Sequence, residues 1–413
     1  MSDSGPSQVA LAVGDRLTLD IERVAHGGHF IAYSDGVTLF VRGAITGERV
    51  VAEVIHRKKR IALAEVVEVV TPSPHRVVPP CSYYVERVCG GCDFQHIDLA
   101  YQRQLKAEVV EDSFKRIAGM IVTVACLPPL DDETDPGSGN EGAKPGFHWR
   151  NRMDFTLTPA NRLALHPHRS DALTEVTSCL IADEALAIES INTEIEESDL
   201  RSKVSAWDRI RVGIAGSGEI KFSPRDTKIT MEVIGKRFPI SVQSFWQPHR
   251  LAAKTLVSRM QALLEVKPGE VLLDLYGGVG LFTAFLRDEV GESGSVTLIE
   301  SDTSAVNDAR RIFKDDPRVR ILSEKVEVAI KTIDHADRIV LDPPRTGVAP
   351  GVIADLARLR PRQILYISCD PATLARDAKA LVEAGYEMAS IEAYDLFPMT
   401  EHIESVANFI LKA

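Results

Sequence analysis

The sequence lacks the features of an exported or membrane-embedded protein. Residues 1–7 show no signal pattern of basic and apolar residues, and no later run of the 413 residues is apolar enough to span a bilayer. It also lacks an excess of positive charge. The net charge of −11 argues against general electrostatic coating of nucleic acid but permits a local basic surface. No internal repeat is visible. We therefore expect a cytoplasmic monomer of two or three domains without a membrane partner.

Cysteine is scarce, with six residues, and a reducing compartment disfavours structural disulfides. Metal binding or catalysis is the better explanation for them. Cys89 and Cys92 are separated by two glycines, which make the tight turn that two ligands of one metal centre need. Cys81 lies close upstream, and Cys179 can serve as a remote fourth ligand. Four thiolates satisfy either tetrahedral zinc or an iron–sulfur cluster, and the spacing does not distinguish the two.

Residues 9–70 have the pattern of an all-β domain. Leu17, Leu19 and Ile21 alternate with polar residues, and glycine turns separate further short apolar runs. This pattern predicts a small OB-type barrel, a fold that binds oligonucleotides. The basic run 56–60 is either a solvated turn or a phosphate contact.

The motifs of this segment follow a particular order. They are Val13-Gly-Asp15, Gly27-Gly28, Phe40-Val41, Gly47-Glu-Arg-Val50 and Ser73-Pro-His-Arg76. This order resembles the TRAM domain, an RNA-binding OB-like module found on RNA-modifying enzymes. We assign residues 1–72 to such a domain.

Residues 73–242 form a mixed middle domain in our assignment, which also contains the four-cysteine cluster. Residues 99–118 predict a helix that packs on the C-terminal domain, with Ile117 on its apolar side. Residues 131–146 are rich in Asp, Glu, Gly, Pro and Ser, which is typical of an exposed, mobile loop. Strands are expected on both sides of an acidic helix at 181–197.

From residue 243 onward, strands alternate with helices. Apolar runs at 271–275, 296–299, 338–341 and 364–367 each have the length of a buried strand. The alternation predicts an α/β domain over 243–413, with a parallel, doubly wound sheet of the Rossmann-like type.

A glycine-rich turn, Tyr276-Gly-Gly-Val-Gly280, follows the first of these strands. Glycines let a ligand approach the backbone closely, and Glu300 at the end of the next strand has the position of an acid that binds ribose hydroxyls. The G-x-G-x-x-G pattern of dinucleotide sites is absent here. The spacing of Asp274, Gly278 and Gly280 instead resembles the S-adenosylmethionine site of Rossmann-like methyltransferases.

Cys369 follows the strand at 364–367 and precedes a helix that Asp370 and Pro371 are suited to begin. Backbone N–H groups and the positive end of the helix dipole favour the thiolate at such a junction. The carboxyl end of a strand in an open α/β sheet is also where ligands bind. Considered alone, Cys369 fits an inert buried cysteine at least as well.

Two more polar segments bear on the chemistry. Asp342-Pro-Pro-Arg345 is either a rigid turn or, as in Rossmann-like methyltransferases, the segment that faces the methyl-accepting base. Pro-Pro before an aromatic residue would suggest amino-group methylation, whereas Arg345 and a later cysteine suit methylation at carbon. Glu404 alternates with His402 before a last apolar strand. It is either an exposed strand-edge carboxylate or a general base, with a raised pKa if it is partly buried.

These motifs together resemble the RNA uracil-C5 methyltransferases, the 5-methyluridine family, over essentially the whole chain. The matching segments are the TRAM segment, the cysteine cluster, Ser244-Phe-Trp-Gln247, Asp274-Leu-Tyr-Gly-Gly-Val-Gly280, Asp342-Pro-Pro-Arg-Thr-Gly347, Ser368-Cys-Asp-Pro-Ala-Thr-Leu-Ala-Arg-Asp377 and His402-Ile-Glu404. The resemblance implies methyl transfer from S-adenosylmethionine to C5 of a uridine in RNA, through a covalent adduct between cysteine and C6. Ribosomal RNA is the favoured substrate and transfer RNA the alternative.

The resemblance also implies residue roles. Cys369 would be the nucleophile and Glu404 the base, acting on a uracil that has left its stack. The cofactor site would contain Gln247, Tyr276, Gly278, Gly280, Glu300 and Asp342. A [4Fe-4S] cluster would be held by Cys81, Cys89, Cys92 and Cys179.

The chain departs from the family pattern in places. The gap after Cys81 is wider than usual, Gly277 replaces a frequent cysteine, and Asp370 replaces a frequent asparagine. Lys325 stands about where a polar, cofactor-adjacent Asn or Asp is common, so we do not assign it to the site. Two rival interpretations stay open: an amino-group methyltransferase with a structural Cys369, and an RNA-binding or metal-sensing protein with an inactive cofactor fold.

Overall fold

The computed structural model describes residues 11–132, 145–197, 204–223 and 228–412. The mobile loop expected over 131–146 lies almost entirely outside these ranges. Within them, no helix is both long and apolar enough to cross a membrane. The strands in the described ranges form sheets of six, five, two and eight members.

Six short strands form the N-terminal sheet, as the alternation and the glycine turns predicted. They are β1 (Arg16–Asp20), β2 (Arg23–Ala25), β3 (His29–Ser34), β4 (Val37–Arg42), β5 (Arg49–Lys58) and β6 (Ile61–Thr71). Their order is β1-β5-β6-β4-β3-β2, and β4 and β6 are the parallel neighbours. Inward-facing residues such as Phe30, Leu39 and Val50 have no exposed surface. The alternating pattern therefore reflects one buried face of an OB-like sheet.

A tight turn at residues 26–28 joins β2 to β3. Gly27 and Gly28 have φ angles of 84° and 72°, a conformation that glycine adopts at no steric cost. A Cβ atom at Gly28 would lie 3.2 Å from Cβ of Glu401, near the end of the chain. The turn therefore packs directly against the C-terminal domain.

The middle segment combines short helices with two small antiparallel sheets. Its elements are α1 (Ser82–Val85), α2 (Leu99–Ser113), β7 (Cys126–Leu127), β8 (Arg152–Leu157), β9 (Leu163–Leu165), β10 (Thr174–Glu175), α3 (Ile188–Glu197), β11 (Arg209–Ile214), β12 (Ile220–Phe222), β13 (Lys228–Val233) and β14 (Lys236–Ser241). The five-stranded sheet has the order β10-β9-β8-β11-β12, and β13 pairs with β14. The acidic helix expected from residue 181 begins later, at Ile188, after a 3-10 turn at Glu184–Leu186.

Helix α2 connects the middle segment to both of its neighbours. Helical structure covers 99–118 as predicted, but Phe114–Ala118 is a π-helix. Its wider turn changes the direction of the side chains, so Ile117 is 40% exposed and the expectation that it faces the core is wrong. Leu105 and Phe114 belong to a buried core that also includes residues of the N-terminal sheet and of the C-terminal domain. The domain boundaries at residues 72 and 242 stay a prediction.

The C-terminal domain alternates strands with helices, as expected. Its elements are α4 (Ala252–Leu264), β15 (Val271–Leu275), α5 (Thr283–Glu289), β16 (Ser295–Glu300), α6 (Thr303–Ile312), β17 (Val319–Ser323), α7 (Val326–Ala329), β18 (Arg338–Leu341), α8 (Val352–Leu359), β19 (Gln363–Ser368), α9 (Pro371–Glu383), β20 (Tyr386–Tyr394) and β21 (Glu404–Leu411). The sheet order is β17-β16-β15-β18-β19-β21-β20-β7. This is a mixed α/β fold of the Rossmann-like class.

One strand departs from the expected parallel sheet. The strands β15 to β19 run parallel, but β21 is antiparallel to both β19 and β20. The loop 395–403 between β20 and β21 contains no crossover helix, and a short connection returns the chain in the opposite direction. As a result, β21 begins at the edge where β19 ends.

Candidate active site

The polar residues that the sequence singled out meet at one edge of the C-terminal sheet. We call this the carboxyl edge, the side where the parallel strands β15, β16, β18 and β19 end. The strand order reverses beside β15, and ligands bind in the crevice at such a point. Ser368 pairs with Ser405 across β19 and β21. Cys369 and Glu404, the next residues outward on these two strands, are therefore neighbours at the carboxyl edge.

Cys369 lies at the junction of β19 and α9, as predicted. Asp370 is the N-cap, and its Oδ1 accepts a hydrogen bond from the backbone N–H of Thr373 at 2.8 Å. Pro371 occupies the first helical position. The local signals therefore placed the start of this helix correctly, because each acts within one turn.

The surroundings of Cys369 do not support the expected preference for the thiolate. Burial raises the pKa of Cys369 to about 12, and the nearby carboxyls of Glu404 and Asp342 raise it as well. Arg345 opposes this rise with a smaller effect. The helix-dipole argument considered the local backbone and omitted the low dielectric and the acidic neighbours.

Glu404 is enclosed at the first position of β21. Glu404 is only 2% exposed. Among the described residues, its Oε1 has no hydrogen-bond partner. Burial, and then the charge of Asp342, raise the pKa of Glu404 well above its usual range. The alternative of an exposed strand-edge carboxylate is therefore wrong. A buried carboxyl with an unused oxygen can exchange a proton with a bound molecule.

Helix α2 fixes the loop that leads into Glu404. Lys106 Nζ donates to Asp395 Oδ1 at 2.6 Å, and neither side chain is more than 1% exposed. The same ammonium group donates to the carbonyl oxygen of Phe397 at 3.0 Å. Gln102 Oε1 accepts the backbone N–H of Met399, also at 3.0 Å. These buried contacts hold loop 395–403, and with it the start of β21, at the carboxyl edge.

Two further acids line the edge, Asp274 fully buried and Asp342 partly buried. Asp342, directly after β18, accepts a hydrogen bond from Gln247 Nε2 at 3.3 Å. Burial, and then the charge of Asp274, raise the pKa of Asp342. Burial also raises the pKa of Asp274 to about 6, although its Oδ2 accepts two hydrogen bonds from Thr283. Acids held in a low dielectric favour a positively charged ligand, because a cation stabilises their ionised form.

The turn after β15 allows a ligand to approach the backbone. Tyr276, Gly278 and Gly280 have φ angles of 60°, 56° and 89°. The backbone N–H of Gly278 donates to Glu300 Oε2 at 3.0 Å, which joins the turn to the end of β16. All six residues predicted for the cofactor site thus border the carboxyl edge or contact residues there. Lys325, by contrast, is an exposed residue at the start of α7.

Four cysteines form a second cluster, in the middle segment. Cys81, Cys89, Cys92 and Cys179, the four predicted metal ligands, line one cavity of about 150 Å³, and their role as ligands stays a prediction. Burial raises the pKa of the thiols of Cys89, Cys92 and Cys179, and interactions among the cysteines add to the rise. Within the described ranges, no three His, Cys, Asp or Glu residues have the spacing of a metal-ion site. Cys126, a partly buried residue on β7, lies outside this cavity.

Sequence reasoning missed two contacts beside Cys369. His26 Nε2, from the turn between β2 and β3, lies 3.2 Å from Asp370 Oδ2. Arg345 Nη2 lies 3.1 Å from His402 Nε2. No local pattern could have revealed the first contact, because its partners come from opposite ends of the chain. Arg345 and His402 were visible only as neighbours of recognised motifs.

Comparison with known proteins agrees with this geometry. The family model described as "tRNA (Uracil-5-)-methyltransferase" matches residues 198–412, and the TRAM domain model matches residues 11–67. An uncharacterized RNA methyltransferase of Streptomyces coelicolor is 36% identical, over 97% of this chain and 94% of its own length. A 23S rRNA (uracil(1939)-C(5))-methyltransferase of Bordetella avium is 33% identical, over 95% and 90%.

A solved structure has the same fold over nearly the whole chain. It is the Pyrococcus abyssi tRNA (uracil-54, C5)-methyltransferase in complex with S-adenosyl-L-homocysteine, with a TM-score of 0.69 and 22% identity. The alignment covers 95% of this chain and 100% of that structure. The chain therefore belongs to the tRNA (uracil-5-)-methyltransferase family, and it is an S-adenosylmethionine-dependent RNA uracil-C5 methyltransferase with an N-terminal TRAM domain.

Proposed function

We propose that this enzyme methylates a uridine of ribosomal RNA through a covalent adduct between Cys369 and C6 of the uracil. The observation that supports this most strongly is the adjacency of Cys369 and Glu404 at the ends of the paired strands β19 and β21. One residue can form a bond to the base while the other removes a proton from it. An inert cysteine would not need a buried carboxyl as its neighbour.

The chemistry follows from the residue types. Uracil C5 is a poor nucleophile, so the Cys369 thiolate adds to C6 and leaves an enolate with electron density at C5. C5 then takes the methyl group that S-adenosylmethionine supplies. Glu404 accepts the C5 proton, the C5–C6 double bond forms again, and the C6–S bond breaks to release the thiolate. This is covalent catalysis, which divides one difficult substitution into easier steps.

The buried acids fit a cationic methyl donor. The sulfonium of S-adenosylmethionine is positively charged, and a cation near Asp342 and Glu404 lowers the pKa of both carboxyls. The positive charge of the donor also opposes the rise in the pKa of Cys369 that burial and the neighbouring carboxyls cause. Donor binding therefore favours the thiolate when the substrate is present. Gln247, Tyr276, Gly278, Gly280, Glu300 and Asp342 would hold the donor.

The choice of ribosomal RNA rests on relatives. Three Bordetella proteins related to this chain at 32–33% identity carry the name of a 23S rRNA (uracil(1939)-C(5))-methyltransferase. The exposed residues of the basic run 56–60, His56, Lys58, Lys59 and Arg60, lie near the hairpin of β5 and β6 and would contact phosphates of the RNA. Mapping 5-methyluridine in a strain that lacks the gene tests this choice. Loss of the modification from transfer RNA, with ribosomal RNA unchanged, would contradict it.

RNA that contains 5-fluorouridine at the target position tests the covalent reaction. After methyl transfer, C5 bears fluorine and methyl but no proton, so Glu404 has nothing to remove and the adduct stalls. We expect mass spectrometry to find a peptide with Cys369 joined to methylated 5-fluorouridine. An amino-group methyltransferase or a non-catalytic RNA-binding protein would form no such adduct, so its absence would refute the proposed chemistry.

We further propose that Cys81, Cys89, Cys92 and Cys179 hold a [4Fe-4S] cluster with a structural role. A single zinc ion would draw its sulfur ligands to about 2.3 Å from one point. These thiols surround a cavity of about 150 Å³, which has room for a group of several atoms. Their raised pKa values indicate buried thiols whose negative charge a metal centre would stabilise.

Protein purified without oxygen is expected to be brown and to contain about four iron and about four sulfide per chain, as in a cubane held by four cysteines. Cys179→Ala should lose the cluster and lower the melting temperature, because Cys179 ties the region after β10 to the segment around Cys81. Cys126→Ala changes a partly buried thiol outside the cavity and should keep the iron. Stoichiometric zinc without sulfide would exclude the cluster and leave the four ligands in place.

A further inference from the structure

The nucleophile junction is held from the N-terminal sheet as well as from its own domain. His26 Nε2 and Asp370 Oδ2 are 3.2 Å apart, and the Asp370 side chain is only 17% exposed. The other oxygen of Asp370 caps α9 by accepting the N–H of Thr373. The carboxylate of Asp370, the residue directly after Cys369, therefore contacts both the TRAM domain and the first turn of α9.

The turn that carries His26 has little freedom. A Cβ at Gly28 would meet side-chain atoms of Glu401 at 3.2 Å and of Asp93 at 3.4 Å, so the backbone lies tightly against both. Asp93 in turn accepts a hydrogen bond from Arg42 at 3.1 Å and another from the backbone N–H of Glu401 at 3.3 Å. The turn, the middle segment and the loop before Glu404 therefore form one packed unit.

The charges around His26 favour its protonated form. The hydrogen bond to Asp370 is the largest cause of the raised pKa of His26, and Glu401 adds to it, against burial and Arg345. Although burial opposes the shift, the hydrogen bonds from His26 and Thr373 lower the pKa of Asp370 to about 2. These groups come from α9, from loop 395–403 and from the segment after β18, which are the elements that face the imidazole.

We propose that His26 of the TRAM domain is a positioning residue for the nucleophile. Its pairing with Asp370 fixes the start of α9, so Cys369 is held at a defined distance from the RNA that the TRAM domain binds. This inference rests on the proposed role of Cys369. It assigns the TRAM domain a part in alignment of the reacting sulfur, in addition to affinity for RNA.

The pairing depends on pH in a definite direction. Because the folded-state pKa of His26 is raised, the imidazolium is present below the unfolded value of 6.5 and is lost as the pH rises through the raised value. A lysine at position 26 would keep its charge through this range. The ratio of the wild-type rate to the rate of His26→Lys should therefore fall as the pH rises. Ionisation of the Cys369 thiol affects both proteins equally, so it cancels in this ratio.

Single-turnover formation of the Cys369 adduct on 5-fluorouridine RNA, with saturating RNA and S-adenosylmethionine, measures the alignment directly. His26→Ala should form the adduct about tenfold to a hundredfold more slowly, since a displacement of about 1 Å can cost a hundredfold in rate. Its KM for RNA should change little. His26→Lys should recover most of the rate, and His26→Gln provides an uncharged variant if the alanine protein does not fold.

His335→Ala is the matched control. The exposed His335 lies 3.5 Å from the partly buried Asp337, just before β18 and at the end of that strand opposite the carboxyl edge. Its removal should leave the adduct rate unchanged. Wild-type adduct rates in His26→Ala, or equal losses in the alanine and lysine variants at every pH, would overturn the positioning role. Absence of any adduct in the wild-type protein would overturn the nucleophile itself, and with it this inference.

Discussion

Cys369→Ala is expected to abolish methyl transfer while the protein keeps its fold and its affinity for RNA and S-adenosylmethionine. Without the sulfur, C5 is not activated, and the loss in kcat should be at least about ten-thousandfold, as for other removed nucleophiles. The side chain is only partly buried, so its truncation should cost at most about 1 kcal/mol of unfolding free energy. Methylation assays at saturating substrate, together with thermal unfolding, measure both effects.

Cys126→Ala is the appropriate control for this change. Cys126 is also a partly buried cysteine with a pKa raised by burial, to about 12, but it lies on β7, and β21 and β20 separate that strand from β19. The control should retain the wild-type rate. If Cys369→Ala keeps more than about one per cent of the activity, covalent catalysis by this residue is refuted.

Glu404→Gln is expected to separate formation of the adduct from its resolution. Glutamine has nearly the same shape, so the RNA and Cys369 should still react, but it cannot accept the C5 proton. Product release should slow by roughly a hundredfold or more, the usual contribution of a general base, and a covalent RNA–protein species should accumulate on ordinary uridine RNA. Gel electrophoresis under denaturing conditions would detect this species.

The pH dependence of stability provides an independent check on Glu404. Because burial raises its pKa, the folded protein binds the carboxyl proton more tightly than the unfolded chain does. The resulting stabilisation is present below the ordinary value of 4.5 and is lost as the pH rises through the raised value. Glutamine does not ionise, so Glu404→Gln should melt at a higher temperature than the wild type at neutral pH, with no such advantage in acid.

Glu392→Gln is the matched control for both measurements. Glu392 lies on the neighbouring strand β20 and forms an ion pair with Arg259 at 2.6 Å. Its isosteric replacement should leave adduct resolution unchanged and should not raise the melting temperature. Normal product release by Glu404→Gln would assign the base to another residue or to water.

Local signals in the sequence predicted what depends on local structure. The run 364–367 predicted β19, and Asp370 with Pro371 predicted the start of α9, because apolar length and helix capping act over a few residues. The same holds for the glycine turn after β15 and for Glu300 at the end of β16. The resemblance to a family then supplied the candidate roles.

Long-range packing set the features that the sequence did not reveal. The reversed direction of β21 depends on the connection after β20 and on hydrogen bonds to two strands. The high pKa of Cys369 arises from enclosure by residues far away in the chain, which outweighs the helix dipole. The contact of His26 with Asp370 joins two domains, and no periodicity records such a pair.

The position of β21 between β19 and β20 has an evolutionary consequence. Because side chains alternate between faces, a deletion of one residue within this strand would reverse the face of every residue on one side of it, whereas most substitutions would not. The pairing of β20 with β21 contains a register shift between Met388 and Ser390. This bulge lies near the end of the hairpin opposite Glu404, and it accommodates an extra residue there. Insertions and deletions that survive selection should therefore cluster around that bulge. Related chains should keep a constant length over the part of β21 that pairs with β19, from Ser405 to Ile410.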